Sequence, residues 1–287
     1  MMRAVTKSLF AAFAATALAG GALADGLRAG SVKDAPLADA GRTFGYSWNV
    51  GLATEYVFRG IGQNSRNPAA FGGVDVTYGI LYAGAWASDV NYGRNTDGPG
   101  GAFGTAVANV ELDVYAGIKP VLGPVTFDLG FVSYNYLGGH DKGPRRNQVR
   151  EQDYVELKAG ASASLVPKLT TGVTLFYTPN YQQGQGSVFT VEGTAAYELP
   201  VFLRMTPTIS GTIGGQFGDA GNVKNPYVFA NGSDSYAYWN AGLTLGIDKL
   251  SVDFRYWDTD ISNRGNFCTQ ELFACDSRFI ATVKVAF

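Results

Sequence analysis

The fold of this chain is decided by residues 44–59, FGYSWNVGLATEYVFR. The even positions carry Phe, Tyr, Trp, Val, Leu, Thr, Tyr and Phe, and the odd positions carry Gly, Ser, Asn, Gly, Ala, Glu, Val and Arg. Because successive side chains of a strand point to opposite faces, this alternation predicts one long strand with an apolar face and a polar or small face. The apolar face has aromatic residues at both ends and aliphatic residues between them, which is typical of a strand that crosses a bilayer.

The length of this predicted strand agrees with a membrane crossing. From Tyr46 to Phe58 it would extend roughly 40 Å at about 3.3 Å per residue. A tilt of about 40° projects that length to roughly 30 Å, close to an apolar band with its aromatic girdles. A single strand would leave its backbone groups unpaired in lipid, so we expect the rest of the chain to close a barrel around it.

The start of the chain predicts a secretory signal peptide over residues 1–24. Arg3 and Lys7 supply the positive start, residues 9–18 the apolar middle, and residues 22–24, ALA, the cleavage site. An uncleaved membrane anchor is the alternative interpretation.

Composition narrows the class of protein. Without the two basic residues of the signal, the 22 Lys and Arg become 20, against 24 Asp and Glu, a net charge of −4 that argues against nucleic acid as a partner. Beyond the signal no run of about 18 apolar residues occurs, so no transmembrane helix is predicted. An exported chain with alternating strands and no helical anchor predicts the outer membrane of a Gram-negative bacterium, with lipid as a partner.

The remaining sequence predicts an all-β fold, an up-and-down antiparallel transmembrane barrel of about twelve strands over residues 44–287. Residues 25–43 are expected to be a flexible periplasmic segment. The predicted strands are about 44–59, 69–78, 81–90, 107–119, 125–136, 153–164, 169–177, 187–199, 206–217, 235–247, 250–257 and 277–287.

Three regularities support this barrel. The strand number is even, and long polar connections alternate with short turns, as in bacterial outer-membrane barrels. Large apolar residues share one face and small or charged residues the other, with no charge on the apolar face, the reverse of a soluble barrel. The facing of residues 81–90 stays open, because Tyr82 and Trp86 share one face and three alanines the other.

The last strand contains a second signal. Counting back from Phe287, alternate residues are Val285, Val283, Ala281 and Phe279. A terminal aromatic residue after alternating apolar residues resembles the signal read by the machinery that inserts outer-membrane barrels, which would be a partner. The alternative is simply a last apolar strand.

Three segments carry a family resemblance. They are residues 55–63, EYVFRGIGQ, residues 72–75, GGVD, and residues 81–88, LYAGAWAS. Together they resemble the TorF-like porin family, which usually has Ser where Gly62 stands here. The resemblance implies an outer-membrane barrel and a pore, and it brings no substrate and no binding residues.

Charged side chains fall on the face that the pattern assigns to the lumen. The candidates for lining a pore are the acids Glu55, Asp75, Glu111, Asp113, Asp128, Glu156, Glu192 and Asp253 and the bases Arg59, Lys158, Arg255 and Lys284. Because rings of carboxylates select for cations, eight acids against four bases predict a slight cation preference. The alternative is that these charges form ion pairs that brace a narrow, largely filled barrel.

Cys268 and Cys275 are the only cysteines, and both lie in the last long connection. In an oxidising compartment we expect them to form a disulfide that staples this connection.

No catalytic set, metal-ligand cluster or cofactor motif is found in the sequence. His140 is the only histidine, and nothing places a partner for nucleophilic chemistry beside it. We therefore expect no enzyme, although a barrel enzyme that depends on His140 is one alternative.

These observations predict a porin-like channel for passive diffusion of small hydrophilic solutes or ions. The other alternative is a closed structural or adhesion barrel that binds a partner through its extracellular loops. The lack of a long apolar loop slightly favours a monomer.

Overall fold

The structure, a computed structural model, describes residues 43–91, 94–95, 105–106, 108–138, 153–181, 186–218, 235–261 and 273–287. Within these ranges there is no helix of the length and apolarity that crossing a membrane requires.

Twelve antiparallel strands form one closed barrel. They are β1 (Phe44–Ala53), β2 (Ala69–Tyr78), β3 (Leu81–Asp89), β4 (Val110–Ile118), β5 (Val125–Leu137), β6 (Tyr154–Val166), β7 (Leu169–Thr178), β8 (Val188–Glu198), β9 (Thr206–Gly218), β10 (Ser235–Ile247), β11 (Leu250–Thr259) and β12 (Arg278–Ala286). Each strand pairs with its neighbours in sequence, and β1 pairs with β12, for example through Val50 and Val285. The predicted up-and-down barrel is therefore confirmed.

Short pairings also occur outside the twelve barrel strands. Val121–Leu122 pairs with the start of β5, and Arg94–Asn95 pairs with Thr105–Ala106 in a small sheet of its own.

The outer surface of the barrel is apolar. On β1 the even residues Phe44, Tyr46, Trp48, Val50 and Leu52 are between 43% and 76% exposed. Large apolar residues are exposed in the same alternating way on the other strands. Such a surface suits lipid, because a soluble barrel places its apolar side chains inside.

The facing of β3, which the sequence left open, is now decided. Tyr82 and Trp86 are buried inside the barrel, and Leu81 is exposed on the outer surface. The three alanines therefore face outward.

The long strand predicted over residues 44–59 is wrong beyond Ala53. Val57–Phe58 and Ile61–Gly62 form a separate two-stranded hairpin, and Tyr56 and Phe58 are buried rather than facing lipid. The turn between Phe58 and Ile61 is the physical reason why these residues form a hairpin of their own. Arg59 and Gly60 have φ of 49° and 83°, and a two-residue type I′ hairpin turn needs positive φ at both central residues.

Long and short connections alternate as predicted. Short connections such as residues 79–80 and 248–249 lie at one end, which also holds the start of β1 and the end of β12. The connection between β1 and β2, residues 54–68, starts from the opposite end of the barrel. We call the two ends the short-turn end and the long-connection end.

Candidate functional site in the barrel lumen

The connection between β1 and β2 enters the barrel, and we call residues 54–68 the lumen segment. Its inserted side chains are each at most 8% exposed, namely Glu55, Tyr56, Val57, Phe58, Arg59, Ile61, Gln63 and Asn64. Since most of these side chains are polar or aromatic, the segment needs polar partners on the inner wall.

Arg59, at the tip of the lumen segment, binds two carboxylates of the wall. Its Nη1 and Nη2 donate to Oε1 and Oε2 of Glu156 on β6, each at 2.8 Å. Its Nε lies 3.9 Å from Oε1 of Glu192 on β8. The side chains of Arg59 and Glu156 are 2% and 1% exposed, so this bidentate pair is closed off from water.

Two phenyl rings frame the same guanidinium. The Cζ atom of Arg59 lies 4.7 Å from the ring centroid of Phe58 and 4.8 Å from that of Phe176 on β7. Cation–π contacts at these distances stabilise a desolvated cation. Glu156, Glu192 and Phe176 of the wall, together with the Phe58 ring of the segment itself, therefore enclose the guanidinium.

Three tyrosines complete this layer. Tyr134 donates to Oε2 of Glu156 at 3.1 Å, and Tyr238 donates to Glu192. Tyr236 donates to the backbone carbonyl of the arginine at 3.3 Å. The hydrogen bonds of Tyr134 and Tyr238 hold the carboxylates in position, because a buried carboxylate needs several donors.

The first residues of the lumen segment are held at the side of the barrel opposite the Arg59–Glu156 pair. Oε1 of Glu55 lies 3.3 Å from Nη1 of Arg278 on β12. Burial raises the pKa of the Glu55 carboxyl above its ordinary value, and the Arg278 guanidinium opposes that rise. Tyr56 donates to Oε1 of Glu111 on β4 at 2.9 Å. One segment therefore reaches β4, β6, β8, β10 and β12 and spans the cross-section.

A second polar cluster lies nearer the short-turn end. Asp128 accepts from Lys158 at 2.8 Å and from Tyr82 at 2.7 Å. Lys119 Nζ lies 3.9 Å from the same carboxylate and 5.2 Å from the centroid of the Tyr82 ring.

A third cluster is built around Arg255 on β11. Its guanidinium donates to Asp253 at 3.0 Å, to Asn240 at 2.7 Å and to Ser210 at 2.9 Å. Thr244 donates to the same aspartate at 2.6 Å. These bonds cross from β11 to β9 and brace the wall.

Among the other predicted lumen residues, Asp75, Glu111 and Asp113 are buried inside the barrel. Tyr115 donates to Oδ1 of Asp75 at 2.6 Å. Lys284 is half-buried and shares the inward phase of β12 with the buried Thr282. Glu156, Asp128 and Asp253 each lie in an ion pair with a predicted lumen base, namely Arg59, Lys158 and Arg255.

Two inward-facing cations were missed in the sequence. Lys119 is in phase with Tyr115 on β4, and Arg278 is in phase with Thr282 on β12, so the strand alternation contained the signal. They raise the bases of the predicted set from four to six, against eight acids, and so reduce the acidic excess.

Several predicted features lie outside the described residues. Cys275 is buried, but Cys268 is not described, so the disulfide stays a prediction. His140 is also outside, and the part of the chain that the structure describes has no group of three or more potential metal ligands.

The C-terminal strand faces as predicted. Phe279, Val283 and Phe287 are exposed on the outer surface, and Val285 is half-buried in the same phase. The Phe287 ring stacks on Trp48 of β1 with centroids 4.0 Å apart. Its role as an insertion signal stays a prediction.

Fold and lumen together define a closed twelve-stranded barrel with an apolar exterior and a charged, hydrogen-bonded interior. Residues 37–287 match the model of a family described as "Bacterial protein of unknown function (Gcw_chp)". The chain belongs to this family. That description does not contain the TorF-like name, which stays a prediction. A search of curated proteins finds no match.

Solved structures with a similar fold are outer-membrane proteins. The NanC porin has a TM-score of 0.47 at 12% identity, covering 85% of this chain and 99% of that chain. The KdgM porin in complex with disordered oligogalacturonate has the same TM-score and coverage at 10% identity. Salmonella typhi OmpF in complex with daunomycin has a TM-score of 0.41 at 10% identity, covering 88% and 99%. At TM-scores below 0.5, these similarities carry no argument about the function of this barrel.

Proposed function

We propose that this chain is an outer-membrane channel through which small hydrophilic solutes or ions diffuse passively. The observation that carries the proposal is the polarity of the inner wall. Charged clusters occur at both levels of the lumen, around Arg59 towards the long-connection end and around Asp128 towards the short-turn end. An interior of this kind holds water whenever it is open, whereas the apolar exterior suits lipid.

The orientation follows from the connections. In outer-membrane barrels the short turns lie in the periplasm and the long connections outside. The lumen segment then enters from the extracellular side, and the cluster around Asp128 lies on the periplasmic side.

A slight cation preference belongs to the same proposal. The inward-facing acids still exceed the bases after Lys119 and Arg278 are included, and carboxylates that line a pore favour cations. The ion pairs around Asp128 and Asp253 reduce the effect, so we expect a modest preference.

The second candidate is a closed barrel that binds a partner through its extracellular loops. The observation in its favour is the layer around Arg59, which is shut off from water in this conformation. If this layer is permanently closed, no solute passes through the barrel, and its function is to bind a partner through the loops.

Single-channel recording separates the two candidates. The chain would be refolded, checked for β-structure by circular dichroism, and recorded in planar bilayers under a salt gradient. A matched variant would replace residues 54–68 with a short Gly-Ser turn, which is feasible because Ala53 and Ala69 are direct register partners. Discrete conductance steps, larger in the variant, would support the channel. Folded protein without steps in either form would favour the closed barrel.

A further inference from the structure

We propose that the lumen segment, residues 54–68, is a displaceable plug and that the Arg59–Glu156 pair is the latch that holds it in the barrel. The proposal rests on the proposed channel function and adds its regulation. It makes the closed layer one state of the channel rather than its permanent form.

The plug can leave without unfolding the barrel. Its hairpin forms a two-stranded sheet of its own, separate from the barrel sheet. Among the described residues, the backbone hydrogen bonds between its inserted part and its surroundings include those from Gly62 to Ala274 and from Asn91 to Gln63, each 2.8 Å. Both ends of the segment emerge beside each other, since Ala53 and Ala69 are paired. The segment can therefore swing about one point of the rim while all twelve strands stay paired.

The chemistry of the contacts favours a reversible fit over a permanent filling. Replacing a buried ion pair with apolar residues is often neutral or stabilising, so an ion pair is a poor choice for filling space. It is a good choice for a latch, because water can solvate both Arg59 and Glu156 once they separate. A second ion pair, Arg66 with Asp276 at 2.6 Å, lies half-exposed and links the base of the segment to the connection before β12.

The backbone of the plug is held in conformations that non-glycine residues rarely adopt. Arg59, Ser65 and Arg66 have φ of 49°, 57° and 58°. Residues in this region persist only where surrounding contacts hold them, and they cluster at switch regions. Release of the plug would let these residues return to common backbone conformations. The free energy gained in this way would offset part of the free energy lost with the contacts.

Opening would also change the charge of the lumen. Arg59 would leave its site between Glu156 and Glu192, and both carboxylates would then face water in the conducting path. We therefore expect the open state to prefer cations more strongly than the modest preference that the charges of the closed form predict.

Variants of the latch test the proposal. In Arg59→Gln the bidentate ion pair is lost and Glu156 is left without its counter-ion, so the open fraction in bilayer recordings should rise by on the order of a hundredfold. Arg59→Lys keeps the charge but not the bidentate geometry and should be intermediate. The charge exchange Arg59→Glu with Glu156→Arg should restore gating only in part, because the new carboxylate would lie beside Glu192 and between the rings of Phe58 and Phe176.

A second pair of variants tests the plug without changing the Arg59–Glu156 pair, so that the proposal stays testable if the latch variants misfold. Gly60→Ala would place a Cβ 2.3 Å from Thr259 Cγ2 at a φ of +83°, so it should push the hairpin out of its seat. Gly79→Ala is the control, because Gly79 also has positive φ but meets nothing within 4 Å in a turn at the other end. Amide hydrogen exchange over residues 54–68 should accelerate in Gly60→Ala and stay unchanged over that segment in Gly79→Ala.

The outcomes separate this proposal from the channel itself. Equal conductance of the unchanged chain and Arg59→Gln would overturn the latch and leave the channel standing. Faster exchange of residues 54–68 with no rise in conductance, while the Gly-Ser variant conducts, would show that the intact segment does not gate the pore. Folded protein that never conducts, even with the segment replaced, would end the channel proposal, and the plug would fall with it.

Discussion

Arg59 illustrates how a single residue can be placed correctly for the wrong reason. The alternation of residues 44–59 assigned it to the lumen, and it does lie there, bound to Glu156. It reaches that place from the tip of a hairpin and not from a barrel strand. Its partners on β6 and β8 are far away in sequence, so no local pattern could have paired them.

Glycines on the inner wall leave room for its aromatic side chains. A Cβ at Gly84 would lie 2.6 Å from the ring of Tyr115 and 2.7 Å from Oδ1 of Asp75. The absence of a side chain at Gly84 lets the tyrosine reach across β3 and donate to that aspartate.

We therefore expect Gly84→Ala to destabilise the barrel by about 1–3 kcal/mol, because the added methyl group overpacks a tight site. Urea unfolding in detergent would measure the effect. Gly193→Ala on β8 is the matched control, since its Cβ would meet its nearest neighbour, Ile213, at an ordinary 3.7 Å. Equal stability of the two variants would contradict the prediction.

At the scale of elements, a strand and a hairpin arm cannot be told apart by alternation alone. Both have a side-chain period of two, so the pattern continues through residues 54–59 although the strand ends at Ala53. The Arg-Gly pair at 59–60 is the turn signal that was available, and it is weaker than an Asn-Gly pair.

The connection before β12 is expected to carry the Cys268–Cys275 disulfide. A free-thiol assay on unreduced, denatured protein should then detect no reactive thiol, and reduction should release two. Cys275→Ser should leave barrel stability nearly unchanged, because the short staple constrains only this connection. Two reactive thiols before reduction would refute the bridge.

Phe287 offers a test of the insertion signal. If the assembly machinery reads the terminal aromatic residue, Phe287→Ala should slow assembly into the outer membrane in cells. Trp48→Ala removes the same ring stack from the β1 side and is the matched control. Heat-modifiable mobility of pulse-labelled protein would report both rates. An equal defect in both variants would point to packing at the seam instead of a signal.

At the scale of the whole molecule, the charges of the lumen set the expected selectivity. Neutralising Asp113 and Asp128 together, by Asp→Asn substitution, should lower the preference for cations over anions. The reversal potential under a salt gradient measures this preference. Asp248→Asn makes the same kind of charge change at an exposed short turn and should leave the potential unchanged. An unaltered reversal potential in the double variant would refute the assignment.

Much of the molecule follows from sequence alone. The barrel class, the twelve strands, the alternation of long and short connections and the facing of nearly every charged residue were predictable, since each depends on a local period of two and on turn residues nearby. The signal peptide and the disulfide remain predictions of the same local kind.

Only the tertiary structure decided what the lumen contains. Whether residues 54–68 lie over the barrel or inside it depends on pairing Arg59 with Glu156, Tyr56 with Glu111 and Glu55 with Arg278. These partners are separated by 97, 55 and 223 positions in the chain. Closing the barrel brings them together, and the cost of burying their charges makes them pair, so neither effect is visible in any single stretch of sequence.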